Sequence, residues 1–193
     1  MPAIDMPLNE LKAYMGRSPK PMDHEEYWNR AIAEMNATNP ELELIPAGYE
    51  NPVAECFDLY FTGVKGARIH AKLLRPKGVS KPQPALLQFH GYSMNSGDWH
   101  GKLGYVASGF TVAALDCRGQ GGLSEDKGEV FGNTLQGHII RGLDDPNPDN
   151  LLYRQIFLDT AMLAKIVMGL PFVDENRVGA MGGSQGGALT LAC

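Results

Sequence analysis

The feature that most constrains the fold is a glycine-rich turn near the end of the sequence, Gly182-Gly183-Ser184-Gln185-Gly186. Apolar residues 177–181 before it predict a strand, and the small residues 187–192 after it predict the start of a helix. A serine in a strand–turn–helix connection of the form G-x-S-x-G is the arrangement of a nucleophile elbow, which lifts the hydroxyl above a sheet. The turn therefore predicts an α/β fold in which Ser184 is a candidate nucleophile.

The tightness of such a turn explains its two outer glycines, Gly182 and Gly186. The serine takes a strained backbone conformation, and side chains two residues away on either side would collide. The helix that starts there directs its first N–H groups and its positive dipole end at the same point. The backbone N–H of Gln185 is therefore a candidate oxyanion donor. An ordinary glycine-rich turn is the alternative, and the flanking strand and helix favour the elbow.

The sequence ends at Cys193, nine residues after Ser184. In this fold the triad acid and then the triad histidine follow the serine along the chain. We therefore expect that the triad Asp and His are not in this chain and that its C-terminal part is missing. Chain order disfavours every histidine before the serine as the base, including His90 and His100, which could lie near the active edge of the sheet. These histidines are His24, His70, His90, His100 and His138.

Hydrophobic periodicity over the rest of the chain predicts a mostly parallel central sheet with antiparallel entry strands and helices on both faces. Residues 1–22, with four prolines, are expected to form an extended N-terminal arm, and residues 23–193 the N-terminal portion of a single domain. His70 alternates onto the polar face of its strand and is expected at the surface. The predicted strands are 55–61, 67–74, 85–90, 110–116 and 177–181, the predicted helices are 23–36, 99–108 and 151–168, and a long loop is predicted over 128–150.

A strand that ends in His90-Gly91-Tyr92 is a candidate for the second half of an oxyanion hole. Gly91 allows the backbone to approach a substrate closely, and the Tyr92 N–H is the candidate donor. The alternative is a plain turn at the end of a strand, with His90 hydrogen-bonded to a loop. The proximity expected from the serine elbow favours the oxyanion interpretation.

The next strand ends in another glycine-rich loop, Arg118-Gly119-Gln120-Gly121-Gly122. Its spacing fits neither of the common phosphate-binding motifs. Arg118 is expected to form an ion pair with Asp116 or Asp126 and so to hold the loop in place.

Net charge, apolar runs and cysteine count indicate which kinds of partner and which cellular compartment to expect. The net charge of −5 disfavours nucleic acid and anionic membrane surfaces, which require a basic face. Neither a signal peptide nor an apolar run of membrane-spanning length is visible, so no membrane association is expected. The three cysteines are an odd number in scattered apolar settings, which favours a reducing cytoplasm. Asp98 and His100 are close in sequence, but no ligand set has zinc spacing, so no metal is expected.

Three motifs together resemble the acetyl xylan esterase / cephalosporin C deacetylase family, carbohydrate esterase family 7, of the α/β-hydrolase fold. They are the G-x-S-Q-G of the elbow, the R-G-Q-G-G that starts at Arg118, and the strand end His90-Gly91-Tyr92. The resemblance covers essentially the whole chain. It implies Ser184 as nucleophile and the backbone N–H groups of Tyr92 and Gln185 as oxyanion hole. It also gives Gly91, Gly182, Gly186, Arg118 and Gln120 supporting roles.

The resemblance further implies a cytoplasmic, cofactor-free hexamer that acts on small acetylated substrates, including acetylated xylose units and cephalosporin C. The chain departs from the family in ending before the triad acid and histidine. Two alternatives stay open. One is another serine hydrolase of this fold, such as a peptidase or a longer-chain carboxylesterase. The other is a non-catalytic fragment or binding module.

Overall fold

The computed structural model describes residues 5–127 and 139–193 as a six-stranded sheet with helices on both faces. Part of the predicted 128–150 loop, including His138, lies outside these residues. The elements in chain order are α1 (Leu8–Ala13), α2 (His24–Ala37), β1 (Glu43–Pro46), β2 (Ala54–Thr62), β3 (Arg68–Pro76), β4 (Gln83–Phe89), α3 (Leu103–Ala107), β5 (Thr111–Leu115), α4 (Leu152–Met168), β6 (Val173–Gly182) and α5 (Gln185–Ala192).

The sheet has the strand order β1-β2-β3-β5-β4-β6. The first three strands pair antiparallel, and β3 also pairs antiparallel with β5. The strand β4 lies between β5 and β6 and is parallel to both. The carboxyl ends of these three parallel strands therefore meet at one edge of the sheet, and the loops that follow them form the candidate site. The parallel centre and the antiparallel entry confirm the sequence prediction.

Two apolar clusters cover opposite faces of the sheet. On one face, α2, α4 and α5 pack against alternate strand residues such as Leu73, Leu87 and Leu115. On the other face, α3 contributes Val106 to a smaller cluster with residues that include Leu74. All five residues of β5 are buried, and burial on both faces explains why the strand is apolar after Thr111 instead of alternating.

The N-terminal arm predicted over 1–22 is wrong in one respect, because residues Leu8–Ala13 form the short helix α1. Good helix formers in this segment outweigh the surrounding prolines, and Pro7 stands just before the first helical residue, where proline is tolerated. The helix has no buried residue. The predicted helix over 99–108 is also shorter than expected, since a 3₁₀ turn over His100–Lys102 precedes α3.

The loop after β5 is fixed from below by an ion pair between Arg118 and Asp159 of α4. The guanidinium donates from Nε to Asp159 Oδ2 and from Nη2 to Asp159 Oδ1, both at 2.6 Å, and both side chains are buried. Arg118 also donates to the Val64 carbonyl at 3.3 Å. Burial alone would lower the pKa of Arg118, but the charge and hydrogen bonds of Asp159 outweigh burial and raise it. The predicted pairing of Arg118 with Asp116 or Asp126 is therefore wrong.

We expect Arg118→Met to lower the free energy of unfolding by about 3–5 kcal/mol, because it leaves the Asp159 carboxylate buried without its partner. The double variant Arg118→Met/Asp159→Leu should recover most of that loss, since no charge then stays buried. Urea unfolding measures both variants. Arg177→Met, which removes an exposed ion pair with Asp174, is the matched control and should leave the midpoint unchanged. Equal effects of Arg118→Met and the double variant would contradict this account.

Candidate active site

The strand β6 runs directly into a turn that places Ser184 between it and α5. Ser184 has backbone angles of φ 54° and ψ −122°, which lie outside the regions that residues with a side chain normally adopt. The residue is exposed, and its hydroxyl has no hydrogen-bond partner among the described residues. The turn therefore presents a serine hydroxyl at the carboxyl edge of the sheet.

Close backbone contacts require glycine on both sides of this serine. A Cβ at Gly186 would lie 2.0 Å from the Phe89 carbonyl oxygen, and a Cβ at Gly182 would lie 2.4 Å from the carbonyl carbon of Gly186. A Cβ at Gly183 would meet nothing within 4 Å. Sterics thus restrict the first and last positions of the G-x-S-x-G motif and leave the second position free.

The His90 side chain faces the loops behind the elbow. Its Nδ1 donates to the Gly91 carbonyl at 2.7 Å, and its Nε2 accepts from the Cys117 N–H at 3.0 Å. One neutral tautomer satisfies both contacts, and burial lowers the pKa of His90, so the neutral form is favoured. Because both ring nitrogens are occupied, His90 has no nitrogen available to take a proton from Ser184.

The other described histidines also form no hydrogen bond with Ser184. His70 is enclosed between two carboxylates, and His100 is exposed in the 3₁₀ turn before α3. Within residues 5–127 and 139–193, no histidine is hydrogen-bonded to the serine. His138 lies outside that part of the chain.

The loop after β4 approaches the elbow closely at Gly91. A Cβ there would lie 3.4 Å from Met94 Sδ and 3.9 Å from the Gly183 carbonyl oxygen. The N–H of Tyr92 in this loop and the N–H of Gln185 at the start of α5 have no acceptor among the described residues. Two unused N–H groups on the two segments beside a serine hydroxyl are what an oxyanion hole requires.

The side chains of Gln120 and Gln185 join the loop after β5 to the elbow. Gln120 donates from Nε2 to Gln185 Oε1 at 2.9 Å, and Gln185 donates from Nε2 to Gln120 Oε1 at 3.1 Å. Gln120 Oε1 also accepts the Ser93 N–H at 2.8 Å. Within this one short motif, Arg118 therefore bonds the loop to α4, and Gln120 bonds it to the elbow.

A buried polar chain fixes the start of the same loop. Asp116 contacts His70 Nδ1 at 2.6 Å through Oδ2, and it accepts the N–H of Ser96 at 2.6 Å and the N–H of Leu123 at 3.0 Å. His70 Nε2 lies 2.9 Å from Asp58 Oδ1. Burial alone would raise the pKa of Asp116, but the hydrogen bonds from His70, Leu123 and Ser96 outweigh it and hold the pKa well below its usual range.

The surface position expected for His70 is wrong. The alternation of β3 placed the residue on the correct face, opposite Ile69, but the loop after β5 covers that face and leaves His70 0% exposed. Ser124 Oγ of this loop accepts the His70 N–H at 2.8 Å, and the Tyr60 ring packs 4.9 Å from the imidazole. Strand periodicity does not predict which loop covers a face of the sheet. Here the covering residues lie about 50 positions later in the chain.

A cleft of about 440 Å³ opens beside the elbow. Gly182 and Gly183 form one wall, and Lys102 and Tyr105 line the side towards α3. Within the described ranges, no group of three or more His, Cys, Asp or Glu side chains is placed to hold a metal ion. The described helices also include none that is long and apolar enough to cross a membrane.

Comparison with known proteins gives one family and a consistent set of structures. The family model described as acetyl xylan esterase matches residues 1–193. Acetyl xylan esterase 1 from Thermoanaerobacterium sp. JW/SL YS485 is 62% identical and superposes with a TM-score of 0.92, over 98% of this chain and 59% of that one. An acetyl xylan esterase from Paenibacillus sp. R4 is 31% identical, with a TM-score of 0.86 over 97% of this chain and 60% of that one.

A more distant structure supports the fold alone. A protein from Bacteroides fragilis NCTC 9343 superposes with a TM-score of 0.63 at 12% identity, over 87% of this chain and 48% of that one. These neighbours confirm the α/β-hydrolase fold. The chain spans about three fifths of the length of the two acetyl xylan esterases that it matches.

Gly186, the last position of the motif, and Gly183, its second position, give a matched pair of variants. We expect Gly186→Ala to lower the free energy of unfolding by about 3 kcal/mol or more, because the new methyl group overlaps the Phe89 carbonyl. Gly183→Ala should change it by less than about 0.5 kcal/mol, since its methyl group has open space. Thermal and urea unfolding of both variants measure the difference. Similar stability of the two variants would show that the turn is looser than described.

The Asp116 carboxylate should make the stability depend on pH. A carboxyl group whose native pKa is depressed stabilises the fold fully above the unfolded pKa of about 3.9, and this stabilisation is lost as the pH falls towards the native pKa. Asp116→Asn should therefore cost about 1.5–3 kcal/mol at pH 6 and progressively less between about pH 4 and pH 2.5.

Urea unfolding across this pH range, with the exposed Asp144→Asn as control, provides the measurement. The control should follow the wild-type curve at every pH. A difference between wild type and Asp116→Asn that stays constant down to pH 2.5 would rule out the depressed pKa.

Proposed function

The chain belongs to the acetyl xylan esterase family, and we propose that the complete protein is a serine esterase that removes acetyl groups from acetylated xylo-oligosaccharides and similar small esters. The proposal concerns the complete protein, because the chain spans about three fifths of its two relatives. The observation that carries it is the exposed Ser184 hydroxyl in a turn with φ 54° between β6 and α5.

Acylation starts when Ser184 Oγ attacks the acetyl carbonyl carbon and a histidine base takes the hydroxyl proton. The carbonyl π electrons move to oxygen, and the N–H groups of Tyr92 and Gln185 receive the resulting negative charge. Each such donor contributes about 3–4 kcal/mol of transition-state stabilisation in comparable sites. The C–O bond to the sugar then breaks, and the sugar oxygen takes the proton from the histidine. The products of this half-reaction are the free sugar hydroxyl and an acetyl-enzyme on Ser184.

Deacylation repeats the same steps with water as the nucleophile. The base takes a proton from water, the hydroxide attacks the acetyl carbon, and Ser184 leaves with the proton that the base returns. Acetate is released and the enzyme is regenerated. The same two N–H groups stabilise the second oxyanion, so one oxyanion hole serves both half-reactions.

The base and its acid partner are assigned to residues outside these 193. Two observations support this assignment. The triad order of the fold places both after the nucleophile, and His90, the histidine beside the elbow, already uses both ring nitrogens. Gly91, Gly182 and Gly186 serve the reaction by allowing close backbone approach, and Arg118 and Gln120 serve it by holding the loop after β5.

Four finer proposals rest on the resemblance of the three motifs and on composition. The substrates include cephalosporin C, whose acetate ester is small and exposed. The protein assembles as a hexamer. The protein works in the cytoplasm, a reducing compartment in which cysteines stay as free thiols, as the three do here. Residues 23–193 form part of a single hydrolase domain.

Ser184→Ala in the full-length protein should lower kcat for acetate esters by roughly 10⁴-fold or more, because the nucleophile is lost. Hydrolysis of p-nitrophenyl acetate and of acetylated xylo-oligosaccharides provides the measurement. Ser80→Ala, an exposed serine in the loop between β3 and β4, is the control and should retain wild-type rates.

The same assay separates the alternatives. Wild-type rates in Ser184→Ala would contradict the mechanism. An inactive wild-type protein would favour a binding module. A preference for butyrate over acetate esters would favour a longer-chain carboxylesterase. Two of the finer proposals are tested by acetate release from cephalosporin C and by a light-scattering mass of six chains.

A further inference from the structure

The buried side chain of Gln185 is contacted by groups from three separate segments. Gln120 pairs with its amide from the loop after β5, and the His90 carbonyl at the end of β4 lies 3.4 Å from Nε2. From the first turn of α4, Tyr153 donates its hydroxyl hydrogen to Gln185 Oε1 at 2.5 Å. Sequence pattern alone predicts only packing for Tyr153, because it is an aromatic residue at the start of an apolar helix.

These contacts leave the Gln185 amide one orientation. Its oxygen accepts from Tyr153 and from Gln120 Nε2, which uses both lone pairs. Its nitrogen faces the His90 carbonyl and Gln120 Oε1, both of which only accept. Burial raises the pKa of Tyr153 to about 12, so its hydroxyl stays protonated and acts as a donor.

The oriented amide in turn fixes the loop after β4. Gln120 Oε1 accepts the Ser93 N–H at 2.8 Å and the Gln185 amide at 3.1 Å. Ser93 has a φ of 59°, a left-handed conformation that residues with a side chain rarely adopt without support. Ser93 directly follows Tyr92, so the hydrogen bond that holds the Ser93 N–H also restrains Tyr92. The hydrogen-bonded amides of Gln120 and Gln185 therefore bridge the two segments that carry the candidate oxyanion donors.

We propose that Tyr153 is a positioning residue that sets the separation of the two oxyanion-hole N–H groups through the paired amides of Gln185 and Gln120. The proposal rests on the proposed function, since it assumes that these N–H groups bind a developing oxyanion. The hydroxyl of Tyr153 orients the Gln185 amide, that amide orients Gln120, and Gln120 holds Ser93 and with it Tyr92. Both N–H groups must lie within about 3 Å of one oxygen, so a small shift of either segment weakens catalysis.

The position of Tyr153 on α4 makes it a firm anchor for this chain of hydrogen bonds. Its ring packs edge-on against Phe157 at 5.6 Å, one helical turn further along. Asp159, on the same helix, holds Arg118 of the loop that carries Gln120. The helix α4 thus holds Arg118 directly through Asp159 and Gln120 indirectly through Tyr153 and Gln185. Phenylalanine at position 153 would keep the ring packing and remove only the hydroxyl.

Tyr153→Phe in the full-length protein tests the proposal, with Tyr27→Phe as the matched control. Tyr27 likewise donates its hydroxyl hydrogen to one acceptor, the Pro148 carbonyl at 3.1 Å, and it lies outside the site. We expect Tyr153→Phe to lower kcat for p-nitrophenyl acetate about tenfold with little change in KM, and Tyr27→Phe to leave both unchanged. A KM effect alone, or the same loss in both variants, would overturn the positioning role.

A thionoester substrate separates positioning from general loosening of the fold. Its sulfur accepts weaker hydrogen bonds than oxygen, so its hydrolysis depends less on well-placed N–H groups. The preference of the enzyme for the oxygen ester should therefore shrink in Tyr153→Phe, by up to about tenfold, and stay unchanged in Tyr27→Phe. An unchanged preference in Tyr153→Phe would overturn the proposal.

Hydrogen exchange gives a readout that needs no activity. The Ser93 N–H should exchange faster in Tyr153→Phe than in wild type, because Gln120 no longer has a fixed orientation. The Leu123 N–H, which donates to Asp116, should exchange at the wild-type rate. If the wild-type protein hydrolyses no ester, the proposed function fails while this exchange result still decides the hydrogen-bond network. Unchanged Ser93 exchange would refute the network itself.

Discussion

The candidate site depends on the close approach of the elbow to the end of the neighbouring strand β4. No side chain fits between Gly186 and the Phe89 carbonyl, where a Cβ would be 2.0 Å from the oxygen. Because β4 and β6 are parallel neighbours, this contact fixes the height of the turn above the sheet edge. Ser184 then has to take its positive φ, and α5 has to start at Gln185. The serine, the helix N-terminus and the loop after β4 meet as a consequence of this one contact.

Buried polar pairs fix the conformation of the loops that begin at the carboxyl edge of the sheet. Asp116 with His70 fixes the first residue of the loop after β5, and Arg118 with Asp159 fixes the same loop to α4. Gln120 then reaches the elbow from a loop that is already anchored on two sides. Removing one partner of a buried pair costs several kcal/mol, which keeps these loops in one conformation. The rigid part of the site therefore consists of polar contacts, and the apolar core supplies the strands beneath them.

The sequence predicted the fold and the elbow well because both depend on local patterns. The elbow is contiguous, and the strand β5 and the helix α4 were found within two residues from their apolar runs. Contacts between distant residues were harder. Arg118 pairs with Asp159, 41 positions away, and closer acids were the natural expectation. The burial of His70 depends on which loop covers its face, and Tyr153 resembles a packing residue because only its hydroxyl takes part in the site. Such partners follow from topology, which periodicity does not encode.

The most direct test of the account is a crystal structure of the full-length protein inactivated with a small methylphosphonate ester that mimics the tetrahedral intermediate. We expect a covalent bond from Ser184 Oγ to phosphorus, with the phosphoryl oxygen within about 3 Å of the N–H groups of both Tyr92 and Gln185. A phosphonate bound to another residue would contradict the assignment of the nucleophile. A phosphoryl oxygen directed away from these two N–H groups would contradict the oxyanion hole on which the account rests.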